Sequence, residues 1–257
     1  MLELNKIYQG DCLEVLKTLP AESMDIVITS PPYNVDLGNN KYHKNPYDLY
    51  NDNKEHKDYI SWLEKIFTDV YRILIKSGRV CINIGDGKNG AITTHSDIIN
   101  FMIKIGYIPL TTIIWDKNQI GSRTAWGSFQ SPSCPSFPTQ FEYILVFCKE
   151  SKKLLTKGET DLTKQEFINW SMALWKFAPE TNQKNIGHNA MFPIELPKRL
   201  LKMFSWVNSI VYDPFMGAGT TAIACKILNR NYIGSEISPQ YCKIAEERIK
   251  NTQTSLI

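Results

Sequence analysis

Six short runs rich in isoleucine and valine, at residues 25–29, 79–84, 109–115, 143–148, 209–212 and 232–235, constrain this chain more than any other feature. Their near-continuous apolar character predicts strands buried on both faces. Between several of them, apolar residues recur at helical spacing. Ile60, Leu63, Phe67, Val70 and Leu74 form one such stripe; Leu13, Leu16 and Leu19 form another after Asp11. Residues 220–228 and 239–249 read as helices flanking the last strand. The alternation predicts an α/β fold with a mostly parallel sheet and helices on both faces. At 257 residues, 43% apolar and 21% charged, the chain suits one large domain of this kind, or one carrying an insertion.

Two stretches fit the alternation poorly. Residues 116–141 and 149–190 are rich in Ser, Pro, Thr, Asn and Lys, and four of the six tryptophans fall within 115–175. They read as an inserted recognition region beside the core. The Asn-rich segment 34–58, with Tyr42, Tyr47 and Tyr50, is long enough for a lid or binding loop. No basic leader with an apolar core opens the sequence, and no run reaches the ~18 apolar residues of a membrane span. The expectation is a cytoplasmic protein with no membrane partner. Six cysteines, none in a Cys-x-x-Cys pair, and four scattered histidines argue against a metal site and for reduced, mostly buried thiols. His43, His56 and His95 read as surface or structural. The net charge of +3 permits a polyanionic partner only where the charge is local.

Two motifs carry chemistry. Ser30-Pro31-Pro32-Tyr33 follows the first predicted strand. A rigid Pro-Pro corner there can aim Ser30, the neighbouring carbonyls and the Tyr33 ring into one cleft, the groups needed to grip a flat ring with an exocyclic amine. Asp213-Pro214-Phe215-Met216-Gly217-Ala218-Gly219-Thr220-Thr221 follows the strand at 209–212 and opens a helix. Gly217 and Gly219 permit a tight turn and close approach of a ligand. Glu236 ends the next strand, where a carboxylate can accept from ribose hydroxyls. Gly217-x-Gly219-x-x-Ala222 also matches the dinucleotide fingerprint of nicotinamide oxidoreductases. Against that reading, Asp213 before the turn suits an amine-bearing ligand better than a pyrophosphate. Only 44 residues follow Asp213, too few for the remaining strands of a dinucleotide fold.

Taken together, the two motifs resemble the S-adenosyl-L-methionine-dependent amino-methyltransferases of DNA, which include the modification enzymes of restriction systems. The order, Ser-Pro-Pro-Tyr before the glycine loop, is similar to the family's permuted "beta" arrangement, and the resemblance covers nearly the whole chain. It implies a circularly permuted, Rossmann-like methyltransferase sheet. Residues 1–115 would be the catalytic half, 116–190 a target-recognition region that includes a core strand near 142–148, and 191–257 the cofactor half. Gly10-Asp11-Cys12 matches a segment near the cofactor's adenine, and Glu236 the ribose-binding acid. His188-Asn189-Ala190-Met191-Phe192-Pro193, with Pro197 and Arg199, is similar to the element closing over the methionine end, with Asn189 where the family usually has Pro. The cofactor contacts implied are Asp11, Cys12, Ser30, Phe192, Asp213, Phe215, Gly217, Gly219, Thr220 and Glu236.

In this family Asp at the first catalytic position is commonest for adenine N6, and Ser for cytosine N4. Ser30 therefore implies a cytosine-N4 enzyme, as do Trp115-Asp116-Lys117 and residues 124–128 ahead of residues 142–147; adenine N6 stays open. The catalytic group is expected to be Ser30, Pro31, Pro32 and Tyr33: Ser30 Oγ and the Pro31 carbonyl accepting from the amine, Tyr33 stacking on a flipped-out base. Double-stranded DNA is the implied partner. Lys117, Arg123, Trp126, Lys152 and Lys153 are its expected contacts within a Lys-rich insert interleaved with Phe129, Trp170, Trp175 and Phe177. Similar enzymes bring in a homodimer and a cognate restriction endonuclease as further partners. A covalent cytosine-C5 route would need Cys134, which has no nearby group to activate it. A non-catalytic nucleotide- or nucleic-acid-binding module is the alternative of another class.

Overall fold

The computed structural model describes residues 3–34, 54–118, 127–181 and 191–253. Within them eight strands form one sheet: β1 (Lys6–Gln9), β2 (Met24–Thr29), β3 (Leu74–Ile84), β4 (Tyr107–Asp116), β5 (Phe141–Lys149), β6 (Leu174–Lys176), β7 (Ile210–Asp213) and β8 (Asn231–Glu236). Their order is β1-β8-β7-β2-β3-β5-β4-β6. Five neighbouring pairs are parallel, and β5 runs against both of its neighbours, β3 and β4. The helices are α1 (Cys12–Thr18), α2 (His56–Ile73), α3 (Thr94–Ile105), α4 (Lys164–Trp170), α5 (Glu195–Phe204), α6 (Thr220–Ile227) and α7 (Pro239–Asn251). The expected α/β architecture is present. No helix among the described residues is long and apolar enough to cross a membrane.

Alternating strand residues feed two hydrophobic cores, one on each face. Val27, Val80, Ile82, Leu145 and Phe147 pack with Leu16, Leu63, Phe67 and Ile98. Ile26, Ile28, Cys81, Ile144 and Val146 pack with Leu200, Leu201, Ala222 and Ile223. This double burial is why the strands read as unbroken apolar runs.

Three helices and two strands escape the sequence reading. The α3 stripe of Ile98, Phe101 and Met102 ends at left-handed Gly106 (φ +116°), and α4 starts on a Thr163–Glu166 capping box. α5 carries Pro197 in its first turn, where no intrahelical N–H is needed. β1 and β6 are short edge strands with little periodicity to read. β6 lies inside the segment expected to recognise DNA, yet it pairs with β4 and buries Trp175 in the main core. Leu74, read as the last residue of the α2 stripe, begins β3; its extended backbone still donates to the Val70 carbonyl, so it serves both elements.

The chain leaves β2 through α2 toward β3, and leaves β7 through α6 toward β8, in the opposite direction across the sheet. The β2–β7 boundary is thus a topological switch, where open α/β sheets leave a crevice at the carboxyl ends of the strands.

Candidate active site

The Ser30 corner, Asp213, Glu236 and Gly10 all lie at or just beyond the carboxyl ends of parallel strands, so the fold brings them to one edge of the sheet. β5 is antiparallel, so its first residues reach this same edge: Tyr143 pairs with Ile84 and Glu142 with Trp115.

Asp213 is 1% exposed. Its Oδ1 accepts from Thr29 Oγ1 at 2.7 Å and from the Phe215 N–H at 3.0 Å, while Oδ2 accepts from Thr221 Oγ1 at 2.6 Å. Burial pushes its carboxyl up to about 6, against the pull of those hydrogen bonds. Both Asp213 oxygens accept from the chain itself. They tie the glycine loop to the strand that carries Ser30.

Gly217 takes positive φ (+52°), and its N–H donates to Glu236 Oε2 at 2.8 Å. The Ser238 N–H donates to Oε1 at 2.9 Å. Burial raises the Glu236 carboxyl above its ordinary value, opposed by these two backbone donors. The Gly10 N–H donates to the Glu236 carbonyl at 2.8 Å, which sets Asp11 and Cys12 beside that acid. Asp11 caps α1 through the Leu13 N–H. Cys12 is buried, which pushes its thiol up to about 12 and keeps it neutral. Thr220 is buried, Phe215 packs on Trp62 with ring centroids 5.5 Å apart, and Phe192 rests on the α5–α6 core.

Arg248, which sequence reasoning missed, reaches from α7 to donate to the Ala218 carbonyl of the loop and sits 3.6 Å from Met191 Sδ. Nothing marks it in the sequence beyond one more basic residue on an amphipathic helix. Gly219 also bears on this packing. It has φ +81°, and a Cβ there would lie 2.8 Å from Ala245 Cβ and 3.2 Å from Ala245 Cα. Gly219→Ala combines left-handed strain of ~1–2 kcal/mol with overpacking of ~1–3 kcal/mol. Denaturant unfolding is expected to show a loss of about 2–4 kcal/mol, and a loss under about 1 kcal/mol would show that α7 moves aside freely.

In the Ser-Pro-Pro-Tyr corner, Pro31 and Pro32 are buried, and α2 fixes the turn through Tyr59, whose hydroxyl donates to the Pro32 carbonyl at 2.7 Å. Ser30 Oγ donates to Tyr33 Oη at 3.2 Å, and Tyr33 Oη donates to Glu142 Oε2 at 2.8 Å. Asn83 Nδ2 donates to both Tyr33 Oη and Glu142 Oε2, at 2.7 Å each. Lys117 pairs with Glu142 Oε1. Gly85 leaves room for the tyrosine: a Cβ there would meet Tyr33 Cε2 at 3.2 Å. Asn83 and the role of Glu142 were not read from the sequence, because only the fold brings 83 and 142 beside 33.

The residues expected to contact DNA divide. Lys117 stands at this edge, but as the partner of Glu142. Lys152 and Lys153 are not brought here. Arg79 pairs with Cys148 across β3 and β5, so residues 149–153 leave the sheet at its opposite edge, where the Lys152 carbonyl accepts from Arg79 at 2.6 Å. Arg123, Trp126, His188 and Asn189 lie outside the described residues. Other members of the basic–aromatic insert are structural. Lys149 is buried and donates to the Leu74 carbonyl, and Trp170, Trp175 and Phe177 surround the Arg199 guanidinium. Among the described residues no cluster of His, Cys, Asp and Glu is arranged to hold a metal ion.

Comparison with known proteins places the chain in a family and a fold. The family model described as DNA methylase, of the N6/N4 type, matches residues 24–247. The Type II methyltransferase M.MjaI of Methanocaldococcus jannaschii is 33% identical over 95% of this chain and 91% of its own length. M.MjaVI of the same organism is 40% identical over 66% of this chain and 86% of its own. Among solved structures, a DNA modification methylase of Thermus thermophilus in complex with S-adenosyl-L-methionine superposes with TM-score 0.76 at 28% identity, covering 96% of this chain and 93% of that one. The cytosine-N4-specific PvuII DNA methyltransferase shares the fold, with TM-score 0.71 at 19% identity over 98% of this chain and 88% of its own.

Proposed function

This chain belongs to the N6/N4 DNA methylase family, and from that premise we propose that it methylates the N4 amine of a cytosine flipped out of double-stranded DNA. S-adenosylmethionine is the cofactor; when bound it supplies the methyl group as an electrophile on a sulfonium. The residues present fit it. Gly217 and Gly219, both at positive φ, shape the tight turn that opens α6. Each Glu236 oxygen holds one backbone N–H, leaving lone pairs for ribose hydroxyls, and the Gly10 N–H bond to the Glu236 carbonyl sets Asp11 beside that acid.

The target amine is a weak nucleophile because its lone pair is conjugated with the ring. In this reading Ser30 Oγ and the Pro31 carbonyl accept its two N–H bonds, which frees the lone pair and offsets the charge growing on nitrogen. Tyr33 borders the base, and Tyr59 holds the corner rigid, so that the amine meets the methyl at a near-attack distance of ~3–3.5 Å. A serine is neutral and a weak base, so it clamps the amine without deprotonating it first. The observation that carries the cytosine assignment is Ser30 itself at the head of the corner, joined to the cofactor loop through Thr29 and Asp213. On this reading residues 1–115 supply the catalytic corner, the parts of 116–190 outside the core strands β5 and β6 read the target, and 191–257 supply the glycine loop and Glu236 for the cofactor. The Type II names of the relatives support a place in restriction–modification, with a cognate endonuclease as partner.

Methylation of unmethylated mixed-sequence DNA, digestion to nucleosides and mass analysis tests this reading. N4-methylcytosine is the expected product. N6-methyladenine would transfer the assignment to the other base of the family.

A further inference from the structure

Once the nitrogen–methyl bond forms, the amine carries a proton it must lose, and Ser30 cannot keep it. The structure contains an oriented path away from that serine. Ser30 Oγ donates to Tyr33 Oη at 3.2 Å, and Tyr33 Oη donates to Glu142 Oε2 at 2.8 Å. Both separations lie within reach of proton transfer. Glu142 is 8% exposed, and Lys117 occupies its other oxygen, so Oε2 is the oxygen left facing the phenol. Asn83, itself 2% exposed, donates from one nitrogen to both Tyr33 Oη and Glu142 Oε2 and fixes their separation. Lys117 from the end of β4 and Tyr33 after β2 are the ionisable groups against Glu142. Beyond its neighbour Tyr143 lies His95, stacked on that ring at 3.9 Å and paired with Asp86.

We propose that Glu142 is the terminal acceptor of the amine proton, reached through Ser30 Oγ and Tyr33 Oη. This rests on the reading that Ser30 grips the amine. The step balances. The nitrogen–carbon bond forms as the carbon–sulfur bond breaks, and sulfur keeps that electron pair as a thioether. The amine proton passes to Ser30 Oγ, the serine proton to Tyr33 Oη, and the phenol proton to Glu142 Oε2. A sulfonium and a carboxylate are consumed together, leaving a neutral thioether, a neutral methylated amine and a carboxylic acid that later releases its proton to water. A merely structural Glu142 would only steady the tyrosine ring, and Glu142→Gln keeps an acceptor for that purpose while removing the base.

The test uses the full chain with radiolabelled S-adenosylmethionine and unmethylated mixed-sequence DNA. Glu142→Gln is expected to lower turnover at saturating cofactor by about 10²-fold, with cofactor affinity within about twofold of the parent protein. Its residual rate should climb with pH as hydroxide replaces the carboxylate. Tyr33→Phe, which leaves the Glu142–Lys117 pair untouched, should show a similar loss and the same climb, and it carries the test if the first variant fails to fold. Infrared difference spectra on product formation should show a protonated carboxyl band in the parent protein and none in Glu142→Gln. Glu142→Gln within about threefold of the parent rate, an unchanged pH profile, or no such band would each overturn the relay. Ser30→Ala run alongside separates the failures: if it is slow while Glu142→Gln is fast, only the relay falls, and if Ser30→Ala is itself fast, the clamp falls first.

Discussion

Asp213→Ala is expected to weaken S-adenosylmethionine binding at least about tenfold and to destabilise the fold in a strongly pH-dependent way. Three donors, Thr29 Oγ1, Thr221 Oγ1 and the Phe215 N–H, lose a buried acceptor, each costing about 1–3 kcal/mol. The loop they anchor is the one that must present Gly217 and Gly219 to the cofactor. The pH dependence follows from the raised carboxyl. Its ordinary value is 3.8 and the fold lifts it to about 6, so between those values the folded chain binds more protons than the unfolded one. Stability therefore falls as pH rises through that window, by about 3 kcal/mol in all, and the loss is complete above about pH 7. Alanine carries no such term. Its cost should be greatest near pH 4, at about 3–5 kcal/mol, and smaller at about pH 7. Asp213→Asn isolates the charge: relative to the parent protein it should gain about 3 kcal/mol between about pH 4 and pH 7. Urea titrations across that range, paired with cofactor titration, measure both. An Asp213→Ala chain that binds cofactor normally would show that the loop holds its shape without its anchor.

Ser30→Ala is the second large effect. Under the proposed mechanism it removes one acceptor from the developing charge and the first link of the path toward Glu142. Deleting one such preorganised group costs about 10²–10³ in turnover, and the cofactor dissociation constant should change by less than about threefold. Because Ser30, Tyr33 and Glu142 act as a chain, the double variant Ser30→Ala/Glu142→Gln should be little slower than Ser30→Ala alone. Fully additive losses would mean that the two residues act independently.

The sheet is legible in the sequence because burial on both faces leaves a distinctive trace. Every strand longer than four residues reads as an apolar run, although β4 is only partly buried, and the structure extends their ends by one to five residues. β1 and β6 do not, since edge strands of four and three residues carry too little pattern. α3 and α4 do carry signals, in Gly106 and in the Thr163–Glu166 box, although neither helix belongs to the apolar stripes that the sequence reading follows. The site divides along a similar line. Motifs contiguous in sequence, Ser30 to Tyr33 and Asp213 to Thr221, announce themselves. Residues that matter through long-range pairing do not. Glu142 and Asn83 meet Tyr33 only because β5 runs antiparallel to β3, and Arg248 reaches the loop only because α7 packs on it. The same reversal of β5 sends Lys152 and Lys153 to the far edge, an outcome that charge counting along the chain could not foresee.

The hydrogen bond between Thr29 and Asp213 joins two adjacent parallel strands, one leading to the proposed base clamp and the other to the glycine loop proposed for the cofactor. Neighbouring strands lie ~4.8 Å apart. On the proposed function, a single synthetic ligand spanning both subsites would need a tether of only about two or three covalent bonds between its nucleoside arm and its target-base arm. With so short a tether the second arm would act at a very high local concentration. Selectivity over other nucleoside-binding proteins would then come from the geometry of the junction and not from either arm.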